Sequence, residues 1–462
     1  VKKVLTHTRS IFSEVKQSLR LSLPLIVSQS TYALSGFLII TMIAHLGRDA
    51  LAALALVDAL WVFIVASILS ILGSISVLVS QSLGAKDHEG IHSATSQGFL
   101  LGIILGLFIM FMLGAAPAIL KQFGHQSDQM TQLTTSCLHA LMWCAIPLSF
   151  LIVFEQFLIG IHQTKLIWYI SFIQVPFEIT ACYAFTFGKL GFPKCGIAGY
   201  GYGLTLVFAC AAIIIGLFLY RAKIFRHYQI FSNFGRLRTK YFLELIRIGW
   251  PMGSLEAIEL SAIMIITFLM SLFGEDALAA HQIARQYFVS ALVMLWGLTQ
   301  ATTVRIGYGV GSNNRPAIKK ALSTDIGIGL SLMSIVAIVY LIFAKNLIGI
   351  DIDIHNPKYA ELVHYAISFL MIMIALQFIE SIRFIILGAL RGLKDTKIPM
   401  LISFIGSWII ALPFAYLFGV IWHLKGTGLW LGLTLGMAIN ALILLIRFRK
   451  VVNKVDLQKL VI

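Results

Sequence analysis

The feature that most constrains this chain is a series of long apolar runs, each able to form one bilayer-spanning helix. A helix crossing about 30 Å of hydrocarbon at about 1.5 Å per residue needs about 20 apolar residues. Twelve stretches qualify: 20–42, 50–82, 93–119, 131–158, 166–188, 196–219, 248–272, 277–303, 321–344, 360–387, 398–419 and 426–446. In lipid each backbone amide must be satisfied within its own segment, so such runs are read as helices. Of 462 residues, 59% are hydrophobic and 12% charged. A soluble protein would be about 25% charged, so a water-soluble enzyme and a disordered tail are both excluded. The first run is too long for a secretory signal and has no cleavage-type site, so it is read as the first helix. The longest hydrophilic stretch, about 220–247, sits at the centre of the chain.

The formal charge of +15 would suggest nucleic acid in a soluble protein. Here its placement sets topology, because basic residues concentrate in cytoplasmic loops. One set of alternate loops carries 26 of the 35 Lys and Arg residues. It includes Lys2, Lys3, Arg9, Lys16 and Arg20 before the first helix, and Arg221, Lys223, Arg226, Arg236, Arg238, Lys240 and Arg247 in the central loop. Arg447, Arg449, Lys450, Lys454 and Lys459 follow the last helix. The other side carries 7, and Arg285 and Arg383 lie within apolar runs. Both termini and the central loop are therefore expected in the cytoplasm, which requires an even number of spans.

The two halves repeat. Gly47-Arg-Asp-Ala-Leu-Ala-Ala53 recurs 227 residues later as Gly274-Glu-Asp-Ala-Leu-Ala-Ala280, and Pro24 maps to Pro251 and Gly84 to Gly311 at the same offset. Gly203-Leu-Thr-Leu206 recurs at Gly432 after 229 residues, and Gly160, Thr164 and Lys165 recur at Gly392, Thr396 and Lys397 after 232. Six spans per half is even, so both halves enter the membrane from the same side. The expected fold is all-α: twelve transmembrane helices in two six-helix lobes, a parallel repeat about a pseudo-twofold axis along the membrane normal. The lobes are 1–220 and 248–462, joined by a cytoplasmic loop at 221–247. Two facing lobes imply a central cleft and alternating access, hence a transporter rather than a channel or receptor.

Leu23-Pro24, Ala279-Ala280-His281-Gln282, Gly388-Ala-Leu-Arg-Gly392 and Lys394-Asp395, in this order and within this repeat, resemble the multidrug and toxic compound extrusion family in its NorM-like branch. The resemblance covers nearly the whole chain. It implies a monomeric antiporter of a bacterial inner membrane, driven by Na⁺ or H⁺, that exports mostly cationic, amphipathic organic compounds. The alternative is a lipid-linked oligosaccharide flippase from a related two-lobe family. Such flippases typically have a cationic cavity, whereas this interior is acidic. The expected partners are small organic cations and membrane lipids, with no nucleic acid. No enzymatic activity and no cofactor beyond the coupling ion are expected. No GxxxxGK[ST] sequence occurs, which points to an ion gradient rather than ATP as the energy source.

Ionisable residues within the membrane are expensive and are functional candidates by default. The apolar runs hold Asp58, Glu155, Glu178, Glu256, Glu259, Asp325 and Glu380 against Arg285 and Arg383. Glu259 lies eight residues after Pro251 and Glu380 eight before Gly388, positions that the resemblance assigns to a cation site of the C-terminal lobe. Two carboxylates there offer oxygen ligands for Na⁺ or a shared proton, and Glu256, one turn before Glu259, is a third candidate. Alternatively Glu380 pairs with Arg383 at i+3. In the N-terminal lobe, relatives carry an Asp where this chain has Ile39. Glu178, with Thr205 opposite, is expected to line the substrate cavity there, or to rest as a hydrogen-bonded acid. His281 and Gln282 are expected to line the substrate cavity as polar, orienting groups, His281 having a proton role or a hydrogen-bonded packing role as alternatives. Asp58 and Arg285 are mates of opposite charge at the 227-residue offset. They are expected to form an inter-lobe gate, the alternative being separate partners within each lobe.

Three patterns are set aside. His88-Glu89-Gly90-Ile91-His92 spells a zinc-protease HExxH, yet its repeat counterpart Arg315-Pro-Ala-Ile-Lys319 has no ligands and no third ligand is evident. Gly199, Gly201 and Gly203 read as close helix packing rather than a phosphate loop. Cys137, Cys144, Cys182, Cys195 and Cys210 show no metal or disulfide spacing.

Overall fold

The computed structural model describes residues 2–123, 127–231, 237–354 and 356–461; Arg236 of the central loop lies outside them. Among the described residues, twelve helices are long and apolar enough to cross a membrane. They are α1 (Phe12–Ala44), α2 (Arg48–Gly84), α3 (His88–Ala118), α4 (Asp128–Gly160), α5 (Thr164–Phe187), α6 (Ala198–Arg221), α7 (Thr239–Ser271), α8 (Glu275–Gly311), α9 (Arg315–Asp351), α10 (Pro357–Gly392), α11 (Lys397–Ile421) and α12 (Lys425–Lys454). Several outrun their apolar cores: α8 and α9 have 37 residues each, about 55 Å at about 1.5 Å per residue.

The repeat governs where helices begin. Gly47 (φ 114°, ψ 172°) and Gly274 (φ 100°, ψ 171°) precede α2 and α8 in the same left-handed backbone conformation. A Cβ would strain that conformation, which explains why both copies of the motif open with glycine. Asp49 in α2, and Glu275 and Asp276 in α8, place carboxylates in the first turn, where the exposed amides of a helix start favour negative charge.

The repeat also governs packing. A methyl at Gly203 of α6 would lie 2.7 Å from the backbone N and Cα of Cys182 in α5. Its mate Gly432 of α12 meets the backbone of Ala415 in α11 in the same way. These glycines let adjacent helices approach to backbone contact, as the sequence suggested.

Two compact units emerge, one of Val1–Ile26 with Ser254–Leu460 and one built mainly of Val27–Gly253. They divide within α1 and α7, two residues after Pro24 and Pro251. Those division points are themselves separated by the repeat offset. A proline inside a helix removes one backbone hydrogen bond and lets the axis bend, so the two parts of such a helix can pack with different neighbours. The first unit centres on Met270, Ala280, Phe288, Phe369, Met373 and Trp430. In the second, Phe231 of the central loop stacks on Phe99 of α3 at 5.9 Å, and Phe99 meets Phe154 of α4 at 5.1 Å.

Candidate functional site

α7 and α10 bring the predicted acid pair together around an arginine. Glu380 and Arg383 share one face of α10 at i+3, and the guanidinium donates to Glu380 Oε2 through Nε at 2.9 Å and Nη2 at 2.6 Å. The same guanidinium reaches across to Glu259 of α7. Nη2 donates to Oε2 at 3.1 Å, and Nη1 pairs with Oε1. Side-chain exposure is 3% for Arg383, 5% for Glu380 and 14% for Glu259. The guanidinium carbon lies 4.7 Å from the centre of the Phe384 ring, a cation–π contact. Glu256, half-buried one turn before Glu259, is within electrostatic range of Glu259, Arg383 and Arg391. Glu380 thus pairs with Arg383 at i+3, and the same arginine also engages Glu259.

In the Val27–Gly253 unit, Glu178 of α5 is buried and accepts from Gln174 Nε2 at 2.7 Å and from Ser35 of α1 at 2.9 Å. One turn earlier on α1, Tyr32 donates to Glu155 of α4 at 3.0 Å. The Thr205 hydroxyl, expected opposite Glu178, donates instead to Gly201 of its own helix at 2.8 Å. The α5–α6 face also carries a cavity of about 430 Å³, apolar apart from Gln174 and Thr180. Asp58 is half-buried on α2 near Tyr200 of α6.

In the other unit, His281 is fully buried, with Nε2 3.0 Å from the Thr267 hydroxyl and its ring 5.3 Å from Trp430. His281 is thus packed inside this unit. Gln282 and Arg285 are exposed on α8. Asp395 of the Lys394-Asp395 motif accepts from Arg447 of α12 at 2.8 and 3.3 Å, tying the start of α11 to the end of α12. In the HExxH segment, Glu89 pairs with Arg238 at 3.0 Å and the His88 ring packs edge-on against His227 at 5.3 Å. Among the described residues, no group of three His, Cys, Asp or Glu side chains is placed to hold a metal ion.

One network escaped the sequence. Asp325 of α9 is fully buried and accepts from Arg305 Nη1 at 2.5 Å, from Thr302 at 2.9 Å and from Ser18 of α1. Arg305 Nη2 also pairs with Glu14 at 2.8 Å, and Lys320 with Glu14 at 3.2 Å. The available signal was Thr302 and Arg305 at i+3 on α8, with Asp325 the aspartate within the apolar run of α9.

Twelve apolar helices built from a tandem repeat, with carboxylates and an arginine sequestered inside, define a polytopic helical membrane protein of the duplicated secondary-transporter class. The MatE family model matches residues 24–184 and again 251–417, two stretches that begin at the repeat offset. The chain belongs to the multidrug and toxic compound extrusion family, in its NorM-like branch. It is 31% identical over 441 residues to a probable multidrug resistance protein NorM of Mesorhizobium japonicum, covering 94% of this chain and 93% of that one. It is 29% identical over 457 residues to a namesake from Synechococcus, covering 98% of each. A solved MATE structure in complex with MaL6 superposes with a TM-score of 0.87 at 20% identity, over 96% of this chain and 97% of that one. A transporter of the MOP superfamily from Pyrococcus furiosus gives 0.85 at 20% identity, with the same coverage.

Proposed function

We propose that this protein exports amphipathic organic cations from the cytoplasm in exchange for an inward-moving cation, Na⁺ or H⁺, with both termini on the cytoplasmic side of a bacterial inner membrane. The observation that carries this reading is the acidic cluster of Glu256, Glu259 and Glu380, held inside the α7–α10 region of a NorM-like chain. Burying charge in a membrane is costly and is tolerated where ions bind or pass. The curated relatives carry the name probable multidrug resistance protein NorM, in keeping with this reading.

The chemistry follows from charge. With all groups ionised, three carboxylates face the guanidiniums of Arg383 and Arg391, leaving one negative charge for an exchangeable cation. Binding that cation changes the net charge shared between α7 and α10. Drug and cation must prefer opposite states of the transporter, since a ligand with equal affinity for both shifts nothing. The test is export from proteoliposomes under an imposed cation gradient. Glu259→Gln and Glu380→Gln should each abolish cation-driven export, and normal export by either variant would sink the assignment.

A further inference from the structure

We propose that Arg383 determines the ion specificity of this site: its guanidinium fills the seat that a metal cation shared by Glu259 and Glu380 would need, so the exchangeable cation is a proton. The inference rests on the coupling role given above to the acidic cluster. Both carboxylate oxygens of Glu259 and one of Glu380 face the same planar guanidinium, through Nε, Nη1 and Nη2. A hard metal cation needs several oxygen ligands around it at once. To bridge the two carboxylates it would have to evict Arg383.

Eviction has nowhere to go. Arginine does not deprotonate in proteins. The Arg383 side chain is buried, with its guanidinium over Phe384, so displacement would strand a buried positive charge. A proton needs no coordination shell. It adds to one carboxylate oxygen and leaves the arginine in place. The charged groups around the cluster are Glu256 and Glu259 on α7 with Glu380, Arg383 and Arg391 on α10. From α11 comes the Trp408 indole, which donates to the Ile258 carbonyl at 3.2 Å. One proton neutralises the single negative charge that remains.

The experiment uses the full chain. Thermal unfolding in detergent is followed while NaCl replaces choline chloride at constant pH and ionic strength. The wild type should show no Na⁺-specific shift. Arg383→Gln should gain a saturable rise in Tm with Na⁺, and the double variant Arg383→Gln/Glu259→Gln should lose it. In proteoliposomes, a pH gradient should drive export of a monovalent aromatic dye cation such as ethidium roughly tenfold or more faster than a Na⁺ gradient. A Na⁺-specific shift in the wild type that Glu259→Gln abolishes would overturn the proposal while leaving the coupling role of the carboxylates intact. Export driven by neither gradient would instead remove the coupling role, and the proton assignment with it. An Arg383→Gln variant that stays silent to Na⁺ overturns the seat argument. If that variant does not accumulate, the wild-type titration decides.

Discussion

Arg383 ties together two helices whose acids lie 124 and 3 residues away in sequence. Removing one member of a buried ion pair leaves an uncompensated charge, at about 3–5 kcal/mol. Arg383→Ala is therefore expected to destabilise the protein by about that much, read as a lowered midpoint in detergent unfolding. Neutralising all three groups together should cost much less, because no charge is stranded. At this scale the sequence was informative about identity and silent about partners. The intramembrane position of Glu259, Glu380 and Arg383 is visible in the chain, since each interrupts an apolar run. That one guanidinium serves both carboxylates is not, because the bridge depends on how α7 and α10 pack. The same limit explains Glu178: its burial was legible, yet its partners proved to be Gln174 and Ser35 rather than Thr205.

Among the helices, the repeat makes matched predictions. Gly47→Ala and Gly274→Ala should each cost roughly 1 kcal/mol, because both positions hold a left-handed backbone. The sites lie in separate compact units, so the two losses should add in the double variant, measured by thermal unfolding. The cluster around Asp325 pins the first part of α1 to α8 and α9. Arg305→Ala would leave this fully buried aspartate without its countercharge, and a loss of about 3–5 kcal/mol is expected in the same assay. Asp325 accepts from a serine 307 residues away, a distance at which no periodicity or local motif carries information. The HExxH segment shows the converse. A short motif was discounted on its context, and its glutamate is engaged by Arg238 from a distant part of the chain.

For the whole molecule, orientation is the expectation that charge alone supports. With Cys195 and Cys210 replaced by Ser, a cysteine at Lys454 should react with a membrane-impermeant maleimide in inverted vesicles and stay unlabelled in intact cells. Labelling from outside would reverse the orientation. What the sequence determined by itself was whatever depends on the local exchange of water for lipid: twelve spans, an acidic interior, and a duplication visible in matching glycines and prolines. The family followed from motifs spread along nearly the whole length. What only the tertiary structure decided was partnership and division. The compact units part within α1 and α7, because contacts across the fold, and not chain continuity, determine which helix segments share a core. Glu259 and Glu380 likewise share an arginine, because buried charges must be paired by whatever the packing brings near.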